Sequence, residues 1–136
     1  MPIIGWILMV FPNIKFKMKT VKTNNLQIWC GLKNTKTGEE KSLEFVEELL
    51  QEYVDEVGFC VSITKTKFIY TKGNENGVVV GIINYPRFPS SSSELLDHTT
   101  KIATILMEKL EQCRVTIVTP LNNIMLSNDK LLAFKD

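Results

Sequence analysis

The sequence is poor in the residues that most often carry chemistry or bind nucleic acid. Its 136 residues include one histidine, His98, and two arginines, Arg87 and Arg114, among 16 basic residues. The net charge of +1 lacks the basic excess typical of proteins that bind long nucleic acids. With 44% hydrophobic residues the chain is too apolar for intrinsic disorder, and its length suits one domain rather than two. Composition therefore indicates one globular domain and no general affinity for polyanions.

Motifs of catalysis and metal binding are missing as well. There is no GxSxG, no GxGxxG and no GxxxxGK[ST], and the single histidine lies off the apolar stripe of a predicted helix, where we expect it to face solvent. Cys30, Cys60 and Cys113 are widely spaced and form no CxxC pair, so they match neither a disulfide framework nor a zinc ligand set. We expect three buried, reduced thiols, and we predict no catalytic residue, no metal site and no cofactor.

The N-terminus carries an apolar run, residues 3–11 (IIGWILMVF), that falls well short of the roughly 20 residues needed to cross a bilayer. No Lys or Arg precedes it and no small-residue cleavage site follows it, so it does not read as a signal peptide. Two interpretations remain for residues 1–17. They form an arm that packs on the domain or on a neighbouring subunit, or they are an over-long gene start with Met18 as the initiator. Residues 18–136 are expected to form a single α+β domain without a membrane partner.

Hydrophobic periodicity predicts elements in the order β-α-β-β-α-β with a short extra strand at the C-terminus. The predicted strands are at 26–31, 59–70, 78–85, 114–119 and 124–126, and the predicted helices at 42–57 and about 91–112. Gly58 is placed to end the first helix, and Ser91 with Glu94 has the capping-box spacing for the second. Asn76-Gly77 predicts a hairpin turn. The order is that of a ferredoxin-like fold, an antiparallel sheet with two helices on one face.

Each helix is predicted to bury one apolar stripe. The two stripes consist of Val46, Leu49, Leu50, Tyr53 and Val57, and of Leu95, Thr99, Ile102, Leu106 and Leu110. The strand at 78–85 (VVVGIINY) is apolar on both faces, which favours a sheet that is covered on both sides. We therefore expect a homo-oligomer. The alternative is a monomer in which residues 1–17 and 129–136 cover the second face.

The segment 84–89 (NYPRFP) offers an arginine, two rings and an amide, and its two prolines make it stiff. These side chains suit a small anionic ligand with a base, because arginine binds phosphate, a ring stacks and an amide reads a base edge. Free N–H groups of the helix that follows also attract anions. The alternative is a rigid β-to-α turn whose rings cap the core. The predicted ligand-binding residues are Asn84, Tyr85, Arg87, Phe88, Arg114 and Trp29.

RNA binding is an alternative function, because RNA-recognition modules share this order of elements. Trp29 could occupy the aromatic position of the first strand. The strand GVVVGIINY, however, has aliphatic residues where stacking rings belong, and it lacks the basic start of the RNA-binding motif. A small nucleotide phosphoesterase is a further alternative, although no pair of acid–base residues stands out.

The opening LQIWCGLKNTKTGEEKSLEF, followed by an acidic amphipathic helix, resembles small phage proteins of the anti-Thoeris type. The likeness includes size, the plan of one sheet and two helices, and a Trp-x-Gly…Thr-Gly-Glu pattern at 29–31 and 37–39. It implies a non-catalytic, oligomeric protein in the host cytoplasm that sequesters a cyclic ADP-ribose signal and so blocks host defence. That family surrounds the nucleotide with arginine, an aromatic ring and asparagine. The residues of matching kind here are Arg87, Arg114, Tyr85, Phe88 and Asn84.

Overall fold

The computed structural model describes residues 5–11, 14–34 and 36–128. In these ranges the chain forms a two-stranded hairpin followed by a five-stranded antiparallel sheet with two helices. The strands are β1 (Gly5–Phe11), β2 (Ile14–Thr20), β3 (Leu26–Gly31), β4 (Ser62–Tyr70), β5 (Gly73–Ile82), β6 (Arg114–Val118) and β7 (Asn123–Ser127). The helices are α1 (Leu43–Val57) and α2 (Ser92–Lys109). The predicted covering tail, 129–136, lies outside the described residues.

Strand order in the large sheet is β4-β5-β3-β6-β7, with every neighbouring pair antiparallel. The first four of these strands and the two helices give the β-α-β-β-α-β arrangement, with β3 and β5 at the centre. The added strand β7 pairs with β6 at one edge. The ferredoxin-like prediction, including the extra C-terminal strand, is therefore confirmed.

One hydrophobic core lies between the sheet and the helices. Ile28 on β3 is opposite Val80 on β5 and Ile117 on β6, and all three side chains are completely buried. The stripe predicted for α2 is buried throughout, and on α1 Val46, Leu50 and Tyr53 are buried. The prediction for Val57 was wrong: its side chain is 42% exposed, because it occupies the last turn of α1, beyond the main body of the core.

Ser91 and Gly58 cap the helices as predicted, and the structure adds a cap at the start of the first helix, Ser42. The Ser42 hydroxyl accepts a hydrogen bond from the Phe45 N–H, and the Ser91 hydroxyl accepts one from the Glu94 N–H. Gly58 has φ of 69°, in the left-handed region, and its N–H donates to the Val54 carbonyl. These caps satisfy backbone groups that the helix ends would otherwise leave without partners.

The predicted turn at Asn76-Gly77 was wrong. β4 and β5 are joined at Thr71-Lys72, where Lys72 has φ of 61°, and both Asn76 and Gly77 pair within the strands. Gly77 is instead needed for packing, because the ring of Phe68 and the carbonyl oxygen of Cys30 occupy the space of a Cβ. A glycine in a strand often marks such a close approach.

The sheet face away from the helices, which we call the open face, is partly apolar. Trp29 on β3 is opposite Val79 on β5 and Thr116 on β6, and Thr116 is opposite Met125 on β7. The rings of Trp29 and Phe68 lie 6.2 Å apart at their centroids. Met125 is 61% exposed, so within the described chain this face is uncovered at least at its β7 edge. Threonines and Gln27 make the face less apolar than the sequence pattern predicted.

The hairpin formed by β1 and β2 is a separate sheet. Its strands pair along their full length, from Gly5 opposite Thr20 to Phe11 opposite Ile14. β2 therefore crosses the predicted boundary between residues 17 and 18. None of the helices in the described residues is long and apolar enough to span a membrane.

Replacing Gly77 with alanine should destabilise the fold by about 1–3 kcal/mol, because the new methyl group meets a backbone carbonyl as well as the Phe68 ring. The matched control is Gly81→Ala on the same strand. There the added methyl group meets only the Ser62 side chain, which can rotate, so the loss should stay below about 1 kcal/mol. Urea unfolding of the two variants measures the difference. Equal losses would contradict the close packing at Gly77.

Candidate functional site

Three connecting segments leave the large sheet at the same end. Leu26 is opposite Ile82, and Gln27 is opposite Val118, so the start of β3 lies beside the ends of β5 and β6. The linker 21–25, the loop 83–91 and the turn 119–122 are consequently neighbours. Because loop 83–91 leads into the first turn of α2, the segment predicted to bind ligand lies beside a helix N-terminus.

Asn84 fixes this loop to the linker. Its side chain is 5% exposed, its Nδ2 donates to the Lys22 carbonyl at 3.0 Å, and its Oδ1 accepts from the Ser90 N–H at 2.9 Å. Its carbonyl oxygen and its amino group are thus both engaged within the chain. Asn84 positions the loop, and its amide is not presented to a ligand.

A tight turn presents Arg87 and Phe88 outward. The Phe88 N–H donates to the Tyr85 carbonyl at 3.1 Å, and Pro86 fixes φ at the second position of the turn. The rings of Tyr85 and Phe88 lie 5.5 Å apart at 45°. Phe88 is 52% exposed and Arg87 is exposed, so a cation and a ring face solvent on a stiff support.

Tyr85 contacts Cys60, which lies just before strand β4. Its hydroxyl hydrogen-bonds with the Cys60 side chain, and this bond, together with burial, raises the pKa of Tyr85 above its ordinary value. The phenol therefore stays neutral at physiological pH. Its ring supports Phe88, while its polar end is used within the protein.

A cavity of about 390 Å³ lies at the same end of the sheet. This volume falls in the range of about 300–1,000 Å³ that is usual for small-molecule pockets. Leucine, isoleucine and proline side chains line it together with hydroxyl and amide groups, and Lys22 provides positive charge. The lining residues are Lys22, Thr23, Asn24, Leu26, Ser92, Leu96, Thr119, Pro120, Leu121, Asn122 and Ile124.

The six predicted ligand residues do not form one cluster within the chain. Asn84, Tyr85, Arg87 and Phe88 share the loop, whereas Trp29 lies in the middle of the open face, where its Nε1 donates to Gln27. Arg114 begins β6 opposite Ser127, at the far end of the sheet. Arg114 is five residues away from Thr119, which lies at the loop end of the sheet, and this corresponds to about 17 Å along the strand. A site that uses all six residues therefore requires more than one copy of the chain.

The cavity was missed at the sequence level. Lys22, Ser92, Thr119 and Asn122 are scattered over a hundred positions and match no motif. The turn is preformed, since the Thr119 hydroxyl accepts from the Leu121 and Asn122 N–H groups. The available signal was topological: in the predicted strand order, the residues before the first strand and after the last core strand must meet the start of the second helix.

The prediction of an exposed histidine was wrong. His98 is half-buried between the helices, with its Nδ1 2.7 Å from the Tyr53 hydroxyl and its ring stacked on Phe59 at 4.4 Å. Burial raises the pKa of Tyr53 above its ordinary value. The pair connects α1 to α2 on the helix side of the molecule, and neither residue lines the cavity. In the described parts of the chain, no group of three or more His, Cys, Asp or Glu residues is placed to hold a metal ion.

The prediction of three buried thiols holds for one cysteine only. Cys30 is buried in the core, Cys113 is half-buried and Cys60 is exposed, since it precedes β4 at the sheet edge. Burial, with a smaller contribution from the Glu75 carboxylate, raises the pKa of the Cys30 thiol to about 12. All three are free thiols, and no pair of them forms a disulfide.

The cysteines should differ widely in reactivity toward iodoacetamide at pH 8. Cys60 should be alkylated first because it is exposed, while Cys30 is buried and, with a pKa of about 12, has only about 1 in 10⁴ of its molecules as thiolate. Peptide mapping by mass spectrometry before and after urea unfolding measures this order. Labelling of Cys30 in the folded protein at a rate comparable to Cys60 would contradict its placement.

Replacing Asn84 with alanine should destabilise the protein by about 1–3 kcal/mol, because the Lys22 carbonyl and the half-buried Ser90 N–H both lose their hydrogen-bond partner. Asn84→Asp keeps the acceptor for Ser90 but loses the donor to Lys22, so it should also destabilise at pH 7. Thermal unfolding measures both. Asn123→Ala, at an exposed asparagine of β7, serves as the control and should change stability little. Wild-type stability in both Asn84 variants would contradict the positioning role.

Comparison with known proteins supports the fold. No protein-family model matches the chain, and no curated protein matches its sequence significantly. Two solved structures are similar: a phage SAM lyase in complex with S-methyl-5'-thioadenosine, with a TM-score of 0.64 and 15% identity over 79% of this chain and 91% of that one; and a phage SAM lyase in the apo state, with a TM-score of 0.66 and 16% identity over 78% and 90%. The chain thus shares its fold with an enzyme that occurs in phages.

Proposed function

We propose that this chain binds a small nucleoside-type ligand at loop 84–91 and the adjoining cavity, and that it sequesters this ligand as a phage-type anti-defence protein. The observation that carries the proposal is the fold shared with a phage SAM lyase that was solved with S-methyl-5'-thioadenosine. It favours an adenosine-bearing ligand over RNA. The cyclic ADP-ribose signals expected from the sequence also carry adenosine, so both lines of argument lead to the same class of ligand.

Complementary chemistry at the loop supports this assignment. The exposed Arg87 guanidinium can form paired hydrogen bonds with a phosphate or carboxylate group, and the exposed ring of Phe88 offers a stacking surface for a base. The cavity adds apolar walls, one cation and several hydroxyl and amide groups at a volume suited to a nucleoside. Groups that suit the anionic part and the base of one ligand therefore lie at the same end of the sheet.

Sequestration is favoured by the kinds of residue at the site. The arginine and the rings can bind a ligand, and the asparagine positions the loop, while neither residue of the His98–Tyr53 pair lines the cavity. A second candidate function is cleavage of S-adenosylmethionine, and the observation that favours it is the similarity to the phage SAM lyase. Both functions remove the ligand from the pool of free metabolites, and they differ in whether it returns intact.

We further propose that the protein acts as a homo-oligomer. The open face contains Trp29, Val79 and Met125, and a face of this kind is usually covered in the assembled protein. Assembly also offers a way to bring Arg114 or Trp29 of one copy toward the loop of another.

Arg87→Ala should weaken ligand binding about 30- to 1,000-fold, the equivalent of about 2–4 kcal/mol for a lost charge-assisted pair. Isothermal titration calorimetry with S-adenosylmethionine, S-methyl-5'-thioadenosine and cyclic ADP-ribose as probes measures this effect. Lys109→Ala, at the far end of α2, is the control and should bind like the wild type. Unchanged affinity in Arg87→Ala would remove this residue from the site, and no binding of any probe would contradict the proposed function.

Release of the bound probe with cold acid, compared with probe incubated without protein, separates the two candidate functions, because heating alone converts S-adenosylmethionine to S-methyl-5'-thioadenosine. Intact S-adenosylmethionine or cyclic ADP-ribose, recovered stoichiometrically and identified by liquid chromatography, supports sequestration. The appearance of S-methyl-5'-thioadenosine from S-adenosylmethionine supports the lyase and overturns sequestration.

A further inference from the structure

In the hairpin formed by β1 and β2, strand β2 alternates basic and apolar residues. Along β2, Lys15, Lys17 and Lys19 alternate with Phe16 and Met18, which are 48% and 43% exposed. Because successive residues of a strand point to opposite faces, the lysines and the apolar residues lie on opposite faces of β2. The residues in register with Phe16 and Met18 are Met9 and Ile7. Apolar residues of one strand of the hairpin therefore pair in register with apolar residues of the other.

Within the described chain, the hairpin packs on no other helix or strand to any substantial extent. An isolated two-stranded hairpin is marginally stable in water at best. A partner that covers its apolar positions would supply the missing stabilisation. The question is whether that partner is the hairpin's own domain or another molecule.

The start of the linker restricts the hairpin. Only Val21 lies between Thr20, the last residue of β2, and Lys22, whose carbonyl is bound by the buried Asn84 amide. The hairpin therefore leaves the domain at the end of the sheet that carries the linker. Since the described hairpin does not pack substantially on its own sheet, we take its cover to come from another molecule.

The open face fits the hairpin in pattern and size. Its middle row contains Trp29, Val79 and Met125, and Phe68 adds a second ring beside Trp29. Five strands make this face about 20–25 Å wide, and a strand of seven residues such as β2 is about 23 Å long. Stacked sheets in proteins bury apolar faces of this kind against each other.

We infer that the hairpin of one copy packs on the open face of a second copy, with Phe16 and Met18 against the sheet and Lys15, Lys17 and Lys19 toward solvent. The partner is thus a second copy of this chain, and the contact is an exchanged N-terminal hairpin. This inference does not depend on the ligand, and its tests use none.

Native mass spectrometry of the full chain gives the first test. The wild type should be oligomeric at micromolar concentration. Phe16→Thr with Met18→Thr, which keeps strand-forming residues while it removes the apolar contact, should become monomeric. The matched control Lys15→Thr with Lys17→Thr changes the opposite face of β2 and should remain oligomeric. A monomeric wild type, or a Phe16/Met18 double variant that assembles like the wild type, would overturn the inference.

Disulfide trapping gives a second test that does not rely on disrupting the hairpin. In a Cys60→Ser, Cys113→Ser background, Met18→Cys with Met125→Cys is mixed as ¹⁴N and ¹⁵N protein in urea under reducing conditions, refolded together and then oxidised. Disulfide-linked peptide pairs of mixed isotope are expected. Lys17→Cys with Met125→Cys is the control, and it should give few such pairs because residue 17 faces away. Bridges found only within one isotope would show that the hairpin covers its own sheet and would overturn the inference, while ligand binding could still hold.

Discussion

The buried side chain of Asn84 holds together the part of the molecule on which its proposed activities depend. One amide joins the linker before β3 to the loop after β5, through a bond to the Lys22 carbonyl and a bond from the Ser90 N–H. The linker, the loop and α2 consequently meet at one end of the sheet with a cavity beside them. Buried polar groups are costly unless they are fully paired, so this arrangement has few alternatives of similar energy.

The same amide explains why the site and the hairpin are connected. Lys22 lines the cavity and is fixed through its carbonyl, and the hairpin ends two residues earlier, at Thr20. Any contact that orders the hairpin on a second copy also orders the linker, and therefore one wall of the cavity. If both proposals hold, assembly and ligand affinity are coupled through a short stretch of backbone.

Local patterns in the sequence were enough to predict the fold. Strict alternation predicted β3 to the residue, 3–4 spacing predicted the buried stripe of α2, and the Ser91–Glu94 spacing predicted the start of α2. Asn76-Gly77 misled because it has the composition of a turn, yet Gly77 is required where the Phe68 ring crosses the strand. Burial was predicted wrongly for Val57 and His98, because helical periodicity gives the direction of a side chain but not which elements pack against it. In both positions the neighbouring elements determine the burial.

Within the site, the residue types were predictable but not their roles. A cluster of arginine, rings and asparagine in the sequence predicted a ligand site. In the structure Arg87 and Phe88 face solvent, whereas Asn84 is buried and its side chain is hydrogen-bonded within the protein. That division depends on hydrogen bonds to residues 22 and 90, and the first of these is remote in the sequence. A neutral chain with few arginines can still bind a small anion, since affinity at a local site depends on whether one guanidinium is held outward.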